Sequence, residues 1–217
     1  MNGLIIKDLR LLKGQMNFFV LFIIIGCAIA WFSDSPGFAI GYIGFIGSFF
    51  TLSTVSYDEF NNGYAFMFTL PVTRKTYVNE KYVFGFLLSI GSIIAGAIPA
   101  FLIMMVKGNS EPYEFFYTAF SVLSVVTILL SIMLPIHIKY GSEKSKIALL
   151  VPFGLLFAFA LIIKALIQAL DIDIAPAVDM FAKASPLMII LIVTALALTS
   201  IILSIRISYN IMNKKEL

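Results

Sequence analysis

Histidine, cysteine and tryptophan each occur once in this 217-residue chain, and only 12% of its residues are charged. A single histidine, His137, cannot build a multi-histidine metal site, and no HExxH helix is present. A lone Cys27 forms no intrachain disulfide. The chain also lacks a GxxxxGK[ST] phosphate loop, a Gly-x-Ser-x-Gly elbow and a Ser/His/Asp set at a plausible depth. No residue is therefore assigned a catalytic, cofactor-binding or metal-binding role. The net charge is only +3 and its basic residues lie in connections, which does not imply nucleic acid.

What is abundant is apolar. The chain is 60% hydrophobic with a mean hydropathy of +1.01, whereas soluble domains carry roughly twice as much charge, about 25%. Runs of about 18 or more apolar residues mark spanning helices. They place six spans at roughly 16–33, 38–56, 83–106, 115–138, 147–169 and 187–208, in one membrane domain covering 1–217. An N-terminal charge cluster before an apolar run resembles a signal peptide, but no convincing small-residue cleavage site follows, so the run is expected to be a retained first span.

With six spans both ends share one side, and twelve of the fifteen Lys and Arg residues fall there; Lys107, Lys164 and Lys183 are the exceptions. The positive-inside rule makes that side cytoplasmic. Asp34, Glu111, Asp171, Asp173 and Asp179 fall in the outer connections. The last three would attract a cation or simply be solvated. The central parts of the spans hold no ionisable residue, and Lys164 and Arg206 are near enough to helix ends to snorkel. Proton- or sodium-coupled transport is disfavoured on that ground.

Residues 1–14 alternate apolar and basic side chains at helical spacing, as an interfacial elbow helix on the inner leaflet requires; a positively charged topogenic flank accounts for the same residues. Small residues recur inside spans, at Gly26 and Ala30, at Gly41, Gly44 and Gly47, and at Gly85, Ser89, Ser92 and Gly96, allowing close helix approach. Pro99, Pro135 and Pro152 mark positions where a helix can kink.

The largest polar stretch, 57–82, interrupts the apolar runs after the second span. It opens with Tyr57-Asp58-Glu59-Phe60-Asn61, continues through Tyr64, Phe66 and Phe68, and ends with Leu70-Pro71-Val72-Thr73-Arg74-Lys75 and Glu80-Lys81. Aromatic side chains make buried anchors and charges set register, which suits a docking surface; the aromatics would equally lie on the bilayer surface. Arg74, Lys75 and Lys81 are fully accounted for as orienting charges. Thr73 is placed to cap the helix that begins at Arg74.

An amphipathic N-terminal helix, six spans and this insert, with Leu-Pro-Val-Thr-Arg-Lys after span two, resemble the small bacterial ABC transporter type-2 permeases across almost the whole chain. The resemblance implies an all-α permease in the bacterial plasma membrane, with both termini cytoplasmic. It would be surrounded by lipid and paired with a second permease subunit, identical or related. A cytosolic ABC ATPase dimer would hold ATP and magnesium, and this chain would hold no cofactor. It also implies a coupling helix in the insert, with Tyr57, Asp58, Glu59, Phe60, Asn61, Tyr64, Phe66 and Phe68 contacting the ATPase and Pro71 ending the helix. Phe45, Phe49 and Phe50 would suit a pathway wall for amphipathic cargo, although lipid contact or helix packing explains them as well. By analogy the cargo is an antimicrobial or amphipathic peptide, with drug, lipid or polysaccharide export open. The rival class is a non-transport scaffold or an immunity protein that binds a toxin in the bilayer.

Overall fold

A computed structural model describes residues 1–33, 37–60, 63–108, 112–169 and 185–215. Among them there is no strand. The helices are α1 (Asn2–Gly14), α2 (Met16–Phe32), α3 (Gly37–Glu59), α4 (Gly63–Met67), α5 (Arg74–Lys107), α6 (Pro112–Ala169) and α7 (Pro186–Lys214).

Local chemistry sets several of their ends. The Thr73 hydroxyl accepts the N–H of Thr76 at 3.1 Å and caps α5, as its position before Arg74 predicts. At the other end Gly108 adopts φ 78, and its N–H returns to the carbonyls of Met104 and Met105. Ser185 caps α7 with Pro186 in its first turn. Gly141, at φ 74 and ψ −178, interrupts α6 in a backbone conformation that favours glycine. An added side chain there would also meet the Glu59 carboxylate, whose Cδ lies 2.7 Å from the Cβ position.

Four helical stretches are long and apolar enough to cross a bilayer: α3, α5, Phe115–Gly141 of α6 and Leu187–Lys214 of α7. A fifth is reached if α1 and α2, which meet at 65°, count as one broken span. The stretch expected over 147–169 has helical backbone within α6, but most of its side chains lie outside the described residues, as do Asp34, Glu111, Asp171, Asp173, Asp179 and Lys183. The 34 residues of α5 extend about 51 Å at the usual helical rise. That exceeds the roughly 30 Å hydrocarbon core, so its polar first turns, 74–82, project beyond the apolar run.

At the centre, α3 packs on α2, α5 and α6, while α7 closes against α6 and α5. The apolar stretch of α3 is 61% buried and that of α7 only 11%, so α7 presents an apolar face outward. Leu191, Leu198 and Leu203 on that face are each more than half exposed, an arrangement suited to lipid rather than water.

Side-chain ties align the ends of the bundle. Lys107 donates to the carbonyl of Ser33 at 2.9 Å, joining the C-terminal ends of α5 and α2. At the opposite end Arg74 donates to the carbonyls of Met212 and Asn213 at 3.1 and 2.6 Å. Lys215 donates to the carbonyl of Ile138 at 2.9 Å. The start of α5 and the end of α7 therefore share one end of the bundle.

Contact between α3 and α5 depends on small residues. A Cβ built on Gly47 would lie 2.5 Å from the Ser92 Cβ, too close for real atoms, whereas one on Gly91 meets nothing within 4 Å. Gly47→Ala should therefore lower the thermal unfolding midpoint of the detergent-solubilised protein, through an overpacking cost of about 1–3 kcal/mol. Gly91→Ala, which shares the helix-propensity gain of about 1 kcal/mol, should leave the midpoint unchanged or raise it. Equal midpoints for the two variants would count against close α3–α5 packing.

Candidate functional site

The insert folds as the last turn of α3, a single short turn of helix at α4, a tight turn and the first two turns of α5. Tyr57, Asp58 and Glu59 complete α3 rather than beginning a separate helix. The five-residue α4 ends at Met67, four residues before Pro71, so Pro71 does not terminate it. Instead the Thr69 hydroxyl donates to the Phe66 carbonyl at 2.7 Å and closes the turn.

Burial divides the expected docking residues into two groups. Tyr57, Phe60 and Phe66 are exposed, the two phenylalanines at 72% each. Asp58 and Tyr64 are buried, and Phe68 packs partly buried against the same core cluster. Asp58 and Tyr64 thus face mainly into this chain. Glu59 receives an ion pair from Lys215 at 3.1 Å. Asn61 lies outside the described residues.

Tyr64 and Tyr77 pack edge to face with their hydroxyls 3.3 Å apart. Burial raises both phenols above their ordinary range, so both stay neutral. Lys215 lies 4.6 Å from the centroid of the Tyr64 ring, on its face. Tyr57 is held from the junction of α1 and α2, where the Gln15 side-chain amide donates to its hydroxyl at 2.9 Å.

Beneath this surface lies a charge cluster that the linear sequence does not display. The Lys81 side chain is fully buried, and its ammonium lies 2.5 Å from Asp8 Oδ2, 2.7 Å from Asp58 Oδ2 and 3.0 Å from Thr54 Oγ1. Lys7 bridges the same two carboxylates from the half-exposed side, at 3.2 Å from Asp8 Oδ1 and in close contact with Asp58 Oδ1. One buried lysine thereby joins α1, α3 and α5. Its expected role as a mere orienting charge is corrected: a topogenic lysine would lie in water. The adjacent Glu80 is also fully buried, with Oε2 3.7 Å from Lys81 Nζ.

The electrostatics follow from that geometry. Burial by itself lowers the Lys81 pKa, but Asp58, Glu80 and Asp8 outweigh it and hold the ammonium above its ordinary value. Burial pushes the Glu80 carboxyl up to about 7, with Lys81 opposing the rise. The two lysine ammoniums occupy the place a bound cation would take. Among the described residues no group of His, Cys, Asp and Glu is fit to hold a metal ion.

A groove of about 540 Å³ opens above the cluster. Met1, Gly3 and Lys7 of the N-terminal segment form one side, and Tyr57, Phe66, Leu70 and Val72 line the insert side. The three proposed pathway phenylalanines separate. Phe45 lines a second groove of about 500 Å³ between α3 and α6. Phe49 packs edge to face on Phe45 at 4.5 Å, and Phe50 is buried against Phe19 of α2 at 5.2 Å.

Removing the buried ammonium would leave Asp8 and Asp58 with only the half-exposed Lys7 between them, a loss of about 3–5 kcal/mol for breaking one side of a buried pair. Lys81→Met should therefore lower the thermal midpoint far more than Lys7→Met, whose side chain is 35% exposed. Fluorescence-detected size exclusion after a heating series checks the order, and equal losses would contradict it.

No curated protein sequence matches the chain significantly. The family model described as ABC-2 family transporter protein matches residues 3–213, nearly the whole length and all the helices that build the cluster and its overlying surface. The chain accordingly belongs to the ABC-2 transporter family and is a membrane permease of an ABC transporter, a class that works with an ABC ATPase.

Proposed function

We propose that this chain is one of two permease subunits in a bacterial plasma-membrane exporter. It would have six spans, an interfacial α1 acting as the elbow, cytoplasmic termini and a cytoplasmic insert that receives the ATPase. The observation that carries the reading is the pair of exposed phenylalanines, Phe60 just after α3 and Phe66 in the groove lining, at the end of the bundle where Arg74 and Lys215 gather. Exposed aromatics at a polar end of a membrane bundle favour a protein partner with a complementary pocket. Tyr57 adds a third exposed ring.

In this mechanism ATP and magnesium stay in the partner ATPase. Closure of that partner would push on α4 and the end of α3. Because Asp58 and Lys81 tie the end of α3 to the start of α5, the push reaches two spans at once. Phe45 and its apolar groove would suit an amphipathic cargo such as an antimicrobial peptide, passing along or between subunits. Lipid, drug or polysaccharide cargo fits the same apolar wall less specifically. The alternative, a scaffold or immunity protein binding a toxin in the bilayer, requires no response to ATP.

Purification of the tagged protein from its native host in mild detergent separates these readings. A stoichiometric ABC ATPase should accompany the wild type. Phe60→Ala with Phe66→Ala should reduce its recovery at least about tenfold, as expected on losing aromatic hot spots, while permease abundance stays constant. ATPase recovery unchanged by the double substitution would place the dock elsewhere. Absence of any ATPase, under conditions that keep other complexes intact, would favour the scaffold.

A further inference from the structure

Glu80 takes no part in the docking reading, yet it is among the most enclosed charged side chains in the molecule. It is fully buried, and neither carboxylate oxygen has a hydrogen-bond partner among the described residues. The neighbouring Lys81 ammonium stands 3.7 Å from Glu80 Oε2, beyond hydrogen-bond range, because it lies closer to Asp8, Asp58 and Thr54. Charge is already balanced without Glu80: Lys7 and Lys81 on one side, Asp8 and Asp58 on the other. An ionised Glu80 would add a third negative charge to two positive ones, met by the Lys81 ammonium only at 3.7 Å and by no hydrogen bond, which burial penalises.

We propose that Glu80 is a proton-binding site that holds its proton while α1 is seated in the cluster, so that the seating of α1 depends on pH. The groups facing Glu80 are Lys7 and Asp8 on α1, Asp58 on α3, and Lys81 and Tyr77 on its own helix. Burial raises its carboxyl from an ordinary value of 4.5 to about 7, in agreement with the geometry. When α1 leaves, Asp8 and Lys7 go with it and water reaches Glu80, whose proton then passes to water.

Linkage sets the direction. The seated form binds the proton more tightly, so seating is strongest below the ordinary glutamate range. It weakens as pH rises from 4.5 toward 7, by at most about tenfold per pH unit, and weakens no further above that. The charge argument needs no ATPase, so it stands or falls separately from the docking proposal.

The test uses the full chain in lipid nanodiscs. Infrared difference spectra of wild type against Glu80→Gln, at about pH 5.5, where an ordinary glutamate is ionised, should show one protonated carboxylic C=O band that the variant lacks. In parallel, with Cys27→Ala as background, spin labels at Lys13→Cys and Lys75→Cys report the distance between α1 and α5. The seated population should fall between about pH 5 and about pH 7 in the wild type and stay constant in Glu80→Gln. If Glu80→Gln does not fold, carboxyl-labelled ¹³C-glutamate in the wild type must shift the same band, and raising the pH must remove it. A missing glutamic-acid band, or a pH response retained in Glu80→Gln, overturns the proposal.

Discussion

An ammonium group leaves water only where acceptors replace it, and the fully buried Lys81 finds its acceptors on two other elements. Asp8 must therefore come in from α1, and Asp58 and Thr54 from α3, before the first turns of α5 can pack. That requirement holds the N-terminal helix against the end of α3 and the start of α5, beside which Tyr57 and Phe66 line the groove. Lys7 extends the network to the groove, where water relieves part of its cost. An exposed ion pair would be too weak for this task, since surface pairs contribute only about 0–1 kcal/mol.

Below the charged layer a second constraint takes over: polar atoms inside the apolar bundle need partners that travel with the helix. Most hydroxyls meet it locally. Ser48, Ser89, Thr127 and Ser131 each donate to the carbonyl four residues earlier. The exceptions join helices. Tyr82 of α5 meets Ser204 and Ser208 of α7 at 2.5 and 2.8 Å, and the Ser204 hydroxyl also reaches the Ser131 carbonyl of α6. Small residues make such approaches feasible, with Gly47 set against Ser92 and Gly26 set against Ile43. The upper layer is thus organised by charge, the lower by shape and hydroxyl pairing.

Much of this architecture was legible along the chain. Apolar runs marked the stretches that became α3, α5, the first part of α6 and α7. Thr73 marked the start of α5 by its capping chemistry, and Gly26, Gly44, Gly47, Gly85 and Gly96 marked where helices touch, whereas Gly41 meets nothing within 4 Å. Boundaries at the insert were less legible. Tyr57 to Glu59 look polar enough to leave a helix, yet they complete α3 because Asp58 has a buried partner and Glu59 meets Lys215. The docking set shows the same difficulty. Phe60 and Phe66 face outward while Tyr64 and Phe68 pack inward, and no spacing rule separates four aromatics spread across a turn and a five-residue helix.

By itself, then, the sequence determined the solvent and the class: an apolar, charge-poor chain must satisfy its backbone in helices and bury them in lipid, whatever their neighbours. It also located the polar surface, because a stretch such as 57–82 cannot remain in hydrocarbon. Only the tertiary structure decided the meaning of the charges within it. Asp8, Asp58 and Lys81 are separated by 50 and 23 positions, and nothing local distinguishes a buried lysine from an orienting one. Their roles depend on which acceptors stand within 3 Å in space, and electrostatic energy follows that distance rather than separation along the chain.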